Sequence, residues 1–139
     1  MGKSKSAIES AEAWLRTAEI TRKNEDYGIS AYSLEMSLEI TLKAVLMALN
    51  VNYPKVHDIT IALRKQLKSN KKISVEDANR FNEYMFVLSD LIRLRPIGGY
   101  FFDDANDKAS EKELEDLVSK YTPKVKEALT FCRGLIERL

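Results

Sequence analysis

ISAYSLEMSLEITLKAVLMAL, residues 29–49, is the most hydrophobic helical pattern in the chain. Placed around a helix at about 100° per residue, it puts Leu34, Leu38, Leu42, Val45, Leu46 and Leu49 on one flank. Met36, Ile40, Ala44 and Met47 fill the opposite flank. The only strongly polar sector is roughly 80° wide and holds Tyr32, Glu35, Glu39 and Lys43. A surface helix carries one apolar stripe and a broad wet face, so a helix apolar on two sides must be covered on two sides. It is expected at the centre of a bundle, or between its own bundle and a second subunit. In the second case Met36, Ile40, Ala44 and Met47 are the dimer face. Glu35 and Glu39 are read as solvated surface, the alternative being a strip that lines a dimer groove, with Glu39 and Lys43 in the favourable order for an i,i+4 ion pair.

The 139 residues make one domain, 1–139, long enough to bury a core without staples. Hydrophobic residues at 45% and charged residues at 31% argue for a globular chain over a disordered one. A net charge of +1 leaves no bulk field to attract nucleic acid or membrane, so any such role falls to a local patch. The single Cys132 cannot form an internal disulfide and sits in an apolar helical pattern, as a reduced core thiol does. Apolar runs such as AVLMAL are too short to span a bilayer, and MGKSKSAIES lacks the apolar region of a secretory signal. Met1-Gly2 with Ser6 matches the myristoylation pattern only loosely. A cytoplasmic protein with no membrane partner is expected.

Outward from the central stretch, residues 6–23 read as a helix. Ala7, Ile8, Ala11, Trp14, Leu15 and Ala18 share a face, with Trp14 as its large anchor and the alanines allowing close approach. Asn24-Glu25-Asp26 separates the two helices. After Asn50, Pro54 marks a connector. Asp58 is the expected N-cap of a third helix with Ile59, Ala62, Leu63, Gln66 and Leu67 on one face, ending in KSNKK. Ser74 and Asp77 come close to a capping box before a fourth helix, in which Ala78, Phe81, Met85, Leu88 and Ile92 repeat. That helix must stop near Leu94, because Pro96 disfavours helical geometry at Arg95. Ser110 and Glu113 form a capping box for a last helix whose apolar phase survives Pro123, implying a kink inside one element. Nothing alternates with period two, so the fold class is all-α: an up-and-down bundle of four to five helices.

The first half carries A-x-x-W-L-x-x-A-E (Ala11, Trp14, Leu15, Ala18, Glu19), then A-Y…E-x-x-x-K-A-x-L (Ala31, Tyr32, Glu39, Lys43, Ala44, Leu46). H-D-I-x-x-x-L follows (His57, Asp58, Ile59, Leu63). These stretches resemble the HEPN superfamily of small helical domains. The chain departs from the family's usual Q-A-x-E-K pattern at Met36, where Gln is common, and at Ile40, where Lys is common. The resemblance implies a four- or five-helix bundle that usually forms homodimers. It also implies a role as an RNase, as a partner of a small nucleotidyltransferase in a toxin–antitoxin pair, or as a nucleotide- or RNA-binding module.

RNases of this superfamily are built on Arg-x(4–6)-His, in which the Arg stabilises phosphate charge and the His moves a proton. Here Arg93 and Arg95 are followed by no histidine, and Arg95-x4 arrives at Tyr100. A tyrosine titrating near ~10 is a poor proton shuttle at neutral pH. The expected reading is therefore non-catalytic: Arg93, Arg95 and Tyr100 form a phosphate-binding and base-stacking set, or else Arg95 decorates a helix C-terminus and Tyr100 caps the core. A divergent RNase using Arg95, or a purely structural helical protein, are the alternatives. His57 is the only histidine, so no His pair for a metal or triad exists, and it reads as a hydrogen-bonded connector residue. Arg64, Lys65, Lys68, Lys71 and Lys72 crowd together without an acid, and Lys68, Lys71 and Lys72 are further candidate phosphate contacts. Asp103, Asp104, Asn106 and Asp107 fail the EF-hand spacing, and no P-loop, dinucleotide fingerprint or serine elbow appears. No metal or cofactor is expected.

Overall fold

A computed structural model describes residues 2–52, 59–93 and 107–139, with only the backbone for 107–110. Five helices follow one another: α1 (Gly2–Lys23), α2 (Tyr27–Ala48), α3 (Thr60–Ser69), α4 (Val75–Arg93) and α5 (Asp107–Arg138). There is no strand among the described residues. None of the described helices is long and apolar enough to cross a membrane.

Cross-links between helices set the topology. Ser30 Oγ donates to the Ala18 carbonyl at 2.7 Å and Ser37 Oγ to the Ala11 carbonyl at 2.8 Å, while Ala44 packs with Ala7 and Ile8. The partner number falls as the α2 number rises, so α1 and α2 are antiparallel. Between α1 and α5 the same reasoning applies to Glu12 with Arg133 and Glu19 with Lys126, the latter at 3.2 Å. Between α4 and α5 it applies to Asp77 with Arg138, Glu83 with Lys124 and Asp90 with Tyr121. The four long helices therefore run up and down in turn, the topology expected from the sequence.

The turn between α1 and α2 has Glu25 in the left-handed region, φ 63°, and Asp26 N–H bonds back to the Thr21 carbonyl at 2.8 Å. The far end of α2 closes the same way. Asn50 sits at φ 58°, and Val51 N–H reaches the Leu46 carbonyl at 3.1 Å. Asparagine tolerates this conformation; glutamate is less suited to it. Ser74 does cap α4, its Oγ accepting from Asp77 N–H at 3.1 Å. Ile59 occupies the cap position of α3, and Asp58 lies outside the described residues. α5 begins at Asp107, three residues before the expected capping serine, and stays one helix through Pro123.

α2 lies at the centre. Leu34, Leu38, Leu42, Val45 and Leu46 are fully buried in the main core with Phe81, Tyr84, Met85 and Leu88 of α4 and Val118, Val125 and Cys132 of α5. Each leucine contributes about 1.5–3 kcal/mol by transfer bookkeeping, an upper estimate. Two readings are corrected here. Glu35 and Glu39 are not solvated surface: they are 1% and 3% exposed. Trp14 is only half-buried and meets the Tyr32 ring edge-on, with centroids 6.0 Å apart.

The flank expected to need a second subunit divides in two. Ala44 is completely buried against α1, while Ile40 and Met47 are half-buried beside Ala7, Ile8 and Ile136. Met36 is also half-buried. Within residues 31–47 of α2, what remains partly open is the strip Tyr32, Met36, Ile40, Lys43 and Met47, and Ile29 near the start of the helix is exposed.

Candidate functional site

Arg93 ends α4, and its guanidinium donates to Asp90 Oδ1 at 2.5 Å. The other carboxylate oxygen of Asp90 accepts the Tyr121 hydroxyl of α5, also at 2.5 Å. Helical spacing produces the first bond, since residues three apart share a face. The second requires α4 and α5 to pack antiparallel. Burial acts to raise the Asp90 carboxyl, but the bonds from Tyr121 and Arg93 outweigh it and hold the group below its usual range. Burial, then the bond to the carboxylate, pushes the Tyr121 hydroxyl up to about 12. Asp90 is thus an anion at neutral pH and Tyr121 a neutral donor. Together they brace Arg93, whose side chain stays 68% exposed. A guanidinium held from one side, with its remaining N–H groups toward solvent, suits an oxyanion such as phosphate.

A second cluster lies along the same helix pair. Tyr84 donates to Glu127 Oε2 at 2.7 Å, and Lys124 pairs with both Glu127 and Glu83. Burial and the carboxylate bond raise the Tyr84 hydroxyl, so it too remains a neutral donor. Burial likewise raises the Cys132 thiol, making it an inert core residue.

On α2, Lys43 Nζ bonds Glu39 Oε2 at 3.0 Å, the expected ion pair, with the carboxylate buried and the ammonium half-covered. Lys68, Lys71 and Lys72 are exposed, as are Arg64 and Lys65. Arg95, Tyr100, His57 and Asp58 lie outside the described residues. Of the sequence-derived candidates, the structure therefore brings together Glu39 with Lys43, and places Arg93 in a network that its sequence neighbours alone do not reveal. Asp90 is foreshadowed by its i,i+3 spacing to Arg93. Tyr121 is not, because a tyrosine in an apolar phase reads as core and its partner lies 31 residues away. An open groove of about 610 Å³ also lies between the start of α1 and the end of α5, lined by Ile8, Ile136, Lys5 and the Glu12–Arg133 pair. No group of three His, Cys, Asp or Glu side chains among the described residues is placed to hold a metal.

These features define an all-helical domain in which a central helix is wrapped by α1 and α4, which run against it, and α5, which runs with it, and a braced arginine closes the fourth helix. The chain belongs to the HEPN family: the model of the HEPN domain matches residues 4–135. No curated protein and no solved structure matches it.

Proposed function

We propose that this chain is a non-catalytic HEPN binding module that works as a homodimer and takes a nucleotide or RNA, or serves as the accessory partner of a small nucleotidyltransferase in a toxin–antitoxin pair. Membership of the family over residues 4–135 is the observation that carries the reading. The missing histidine after Arg93 and Arg95 supports binding without cleavage, since no other side chain there moves a proton readily near neutral pH. Arg93, held by Asp90 and Tyr121, supplies a positioned phosphate contact, with Arg95 and Tyr100 beside it in sequence. The partly open strip Tyr32, Met36, Ile40, Lys43 and Met47 supports pairing, because thioethers and an aromatic ring are enriched at protein interfaces.

Solution mass and ligand binding test this. The purified chain is expected at twice its 15.9 kDa mass, and Met36→Glu with Met47→Glu is expected to return it to the monomer. It should bind a mononucleotide or short RNA without cleaving it, and Arg93→Ala should weaken that binding. A monomer that binds neither, or RNA cleavage lost in Arg95→Ala, would overturn the reading.

A further inference from the structure

We infer that the outer face of α3 and the turn after it form a docking strip for the phosphodiester backbone of a nucleic-acid strand, which extends the nucleotide-or-RNA reading above to a polymer. Arg64, Lys65 and Lys68 share one face of α3, and Lys71 and Lys72 follow directly. All five are exposed, and none has an ion-pair partner among the described residues. No acid occurs between Asp58 and Glu76, whereas the other 17 Lys and Arg of the chain face 21 Asp and Glu, a net of −4. A nearly neutral protein has thus placed five cations with no balancing acid in one short segment. The helix dipole accounts for Lys68, in the last turn, but not for Arg64 and Lys65 before it or Lys71 and Lys72 beyond it.

The turn that carries the last two lysines is built rather than loose. Asn70 N–H bonds the Gln66 carbonyl at 2.8 Å, Asn70 Oδ1 accepts from Lys72 N–H at 3.0 Å, and Ile73 is buried behind it. With the inner side of α3 anchored by fully buried Ile59 and Leu63, the cations have a fixed base.

Charge complementarity selects the occupant. A membrane surface takes an amphipathic helix by its apolar face, but the apolar face of α3 is turned into the core and Ile61 alone is exposed on the outside. A protein interface is depleted of lysine at its centre. A polyanion of closely spaced charges fits. The ten residues of α3 extend about 15 Å, long enough to run beside several consecutive phosphates of one strand.

The experiment is anisotropy titration of labelled single-stranded RNA, and of DNA of the same sequence, across a range of salt. Five neutralised phosphates predict a slope of log K against log salt near about −3.5, reduced by about 2 in the Lys68→Gln, Lys71→Gln, Lys72→Gln variant. Affinity at ~0.1 M salt should then fall roughly tenfold to a hundredfold. Tighter binding of RNA assigns the strand as RNA, tighter binding of DNA as DNA, and equal binding makes the backbone alone the ligand. Binding to neither, an unchanged slope in the triple variant, or capture of polyglutamate or phosphatidylserine vesicles in place of both strands overturns the inference. Because these side chains are exposed and unpaired, the variant should keep its melting temperature, and Lys68→Glu alone gives a second, smaller shift in the same direction. If Arg93→Ala abolishes mononucleotide binding while the triple variant leaves the slope unchanged, the strip fails and the Arg93 reading stands. The converse result keeps the strip and removes the Arg93 contact.

Discussion

The two dry sides of α2 are sealed by opposite means. Toward α4 and α5, large aliphatic side chains fill volume: Leu34, Leu38, Leu42 and Leu46 reach zero or near-zero exposure against Phe81, Met85 and Val125. Toward α1, the buried residues are Ser30, Ser33, Ser37, Thr41 and Ala44, facing Ala7, Ala11 and Ala18. Apart from Ile8, which packs on Ala44, these side chains are small, and small side chains on both helices let the backbones come close. Ser30 and Ser37 satisfy their hydroxyls on carbonyls of the neighbouring helix, and Thr41 on the Ser37 carbonyl of its own. A side filled by volume is sensitive to lost atoms, and one closed by proximity to added ones.

Substitutions can break that contrast. Leu42→Ala should cost about 2–5 kcal/mol in urea unfolding, through lost transfer energy and the cavity left behind. Ala11→Leu should cost about 1–3 kcal/mol by forcing the helices apart, although it adds apolar surface. If it stabilises the protein, the close-approach account of the α1 side is wrong. Ser37→Ala removes a cross-helix hydrogen bond and should cost roughly 0.5–1.5 kcal/mol. Ser33 sharpens the comparison, because its buried hydroxyl has no hydrogen-bond partner among the described residues. Ser33→Ala should therefore be neutral or stabilising by up to about 1 kcal/mol, measured against Ser37→Ala in the same melt.

The Asp90–Tyr121 bond joins α4 to α5 and has its own pH signature. Tyr121 is raised from 10.0 to about 12 in the folded chain, so its contribution is complete below pH 10 and disappears as pH rises through 12. Asp90 is lowered from 3.8, so its contribution is present above that value and is lost as pH falls below it. Tyr121→Phe should flatten the alkaline limb of a urea-midpoint profile between pH 10 and 12 relative to the wild type. Identical limbs would remove the assignment.

Which parts of the molecule are legible without coordinates follows from the range of the interactions involved. The 3.6-residue period of apolar side chains is local, so the helices, the end of α2 near Asn50, its central place and the unbroken phase across Pro123 can be read directly. The alanines of α1 announce a close approach before its partner is visible. The serine side of α2 is hidden because serine reads as solvent-facing until a second backbone comes near enough to accept its hydroxyl. Glu35 and Glu39 are misplaced for a related reason: a carboxylate is assumed wet unless tertiary packing buries it. Arg93 stands out by type and position, yet its bracing by Tyr121 depends on two helices aligning antiparallel across 31 residues of chain. Sequence by itself determined which of the described stretches become helices and where most of their large apolar side chains face, since those are properties of neighbours one turn apart. Only tertiary structure decided what covers each face and which polar groups meet, because burial and long-range hydrogen bonds exist only once the helices have packed.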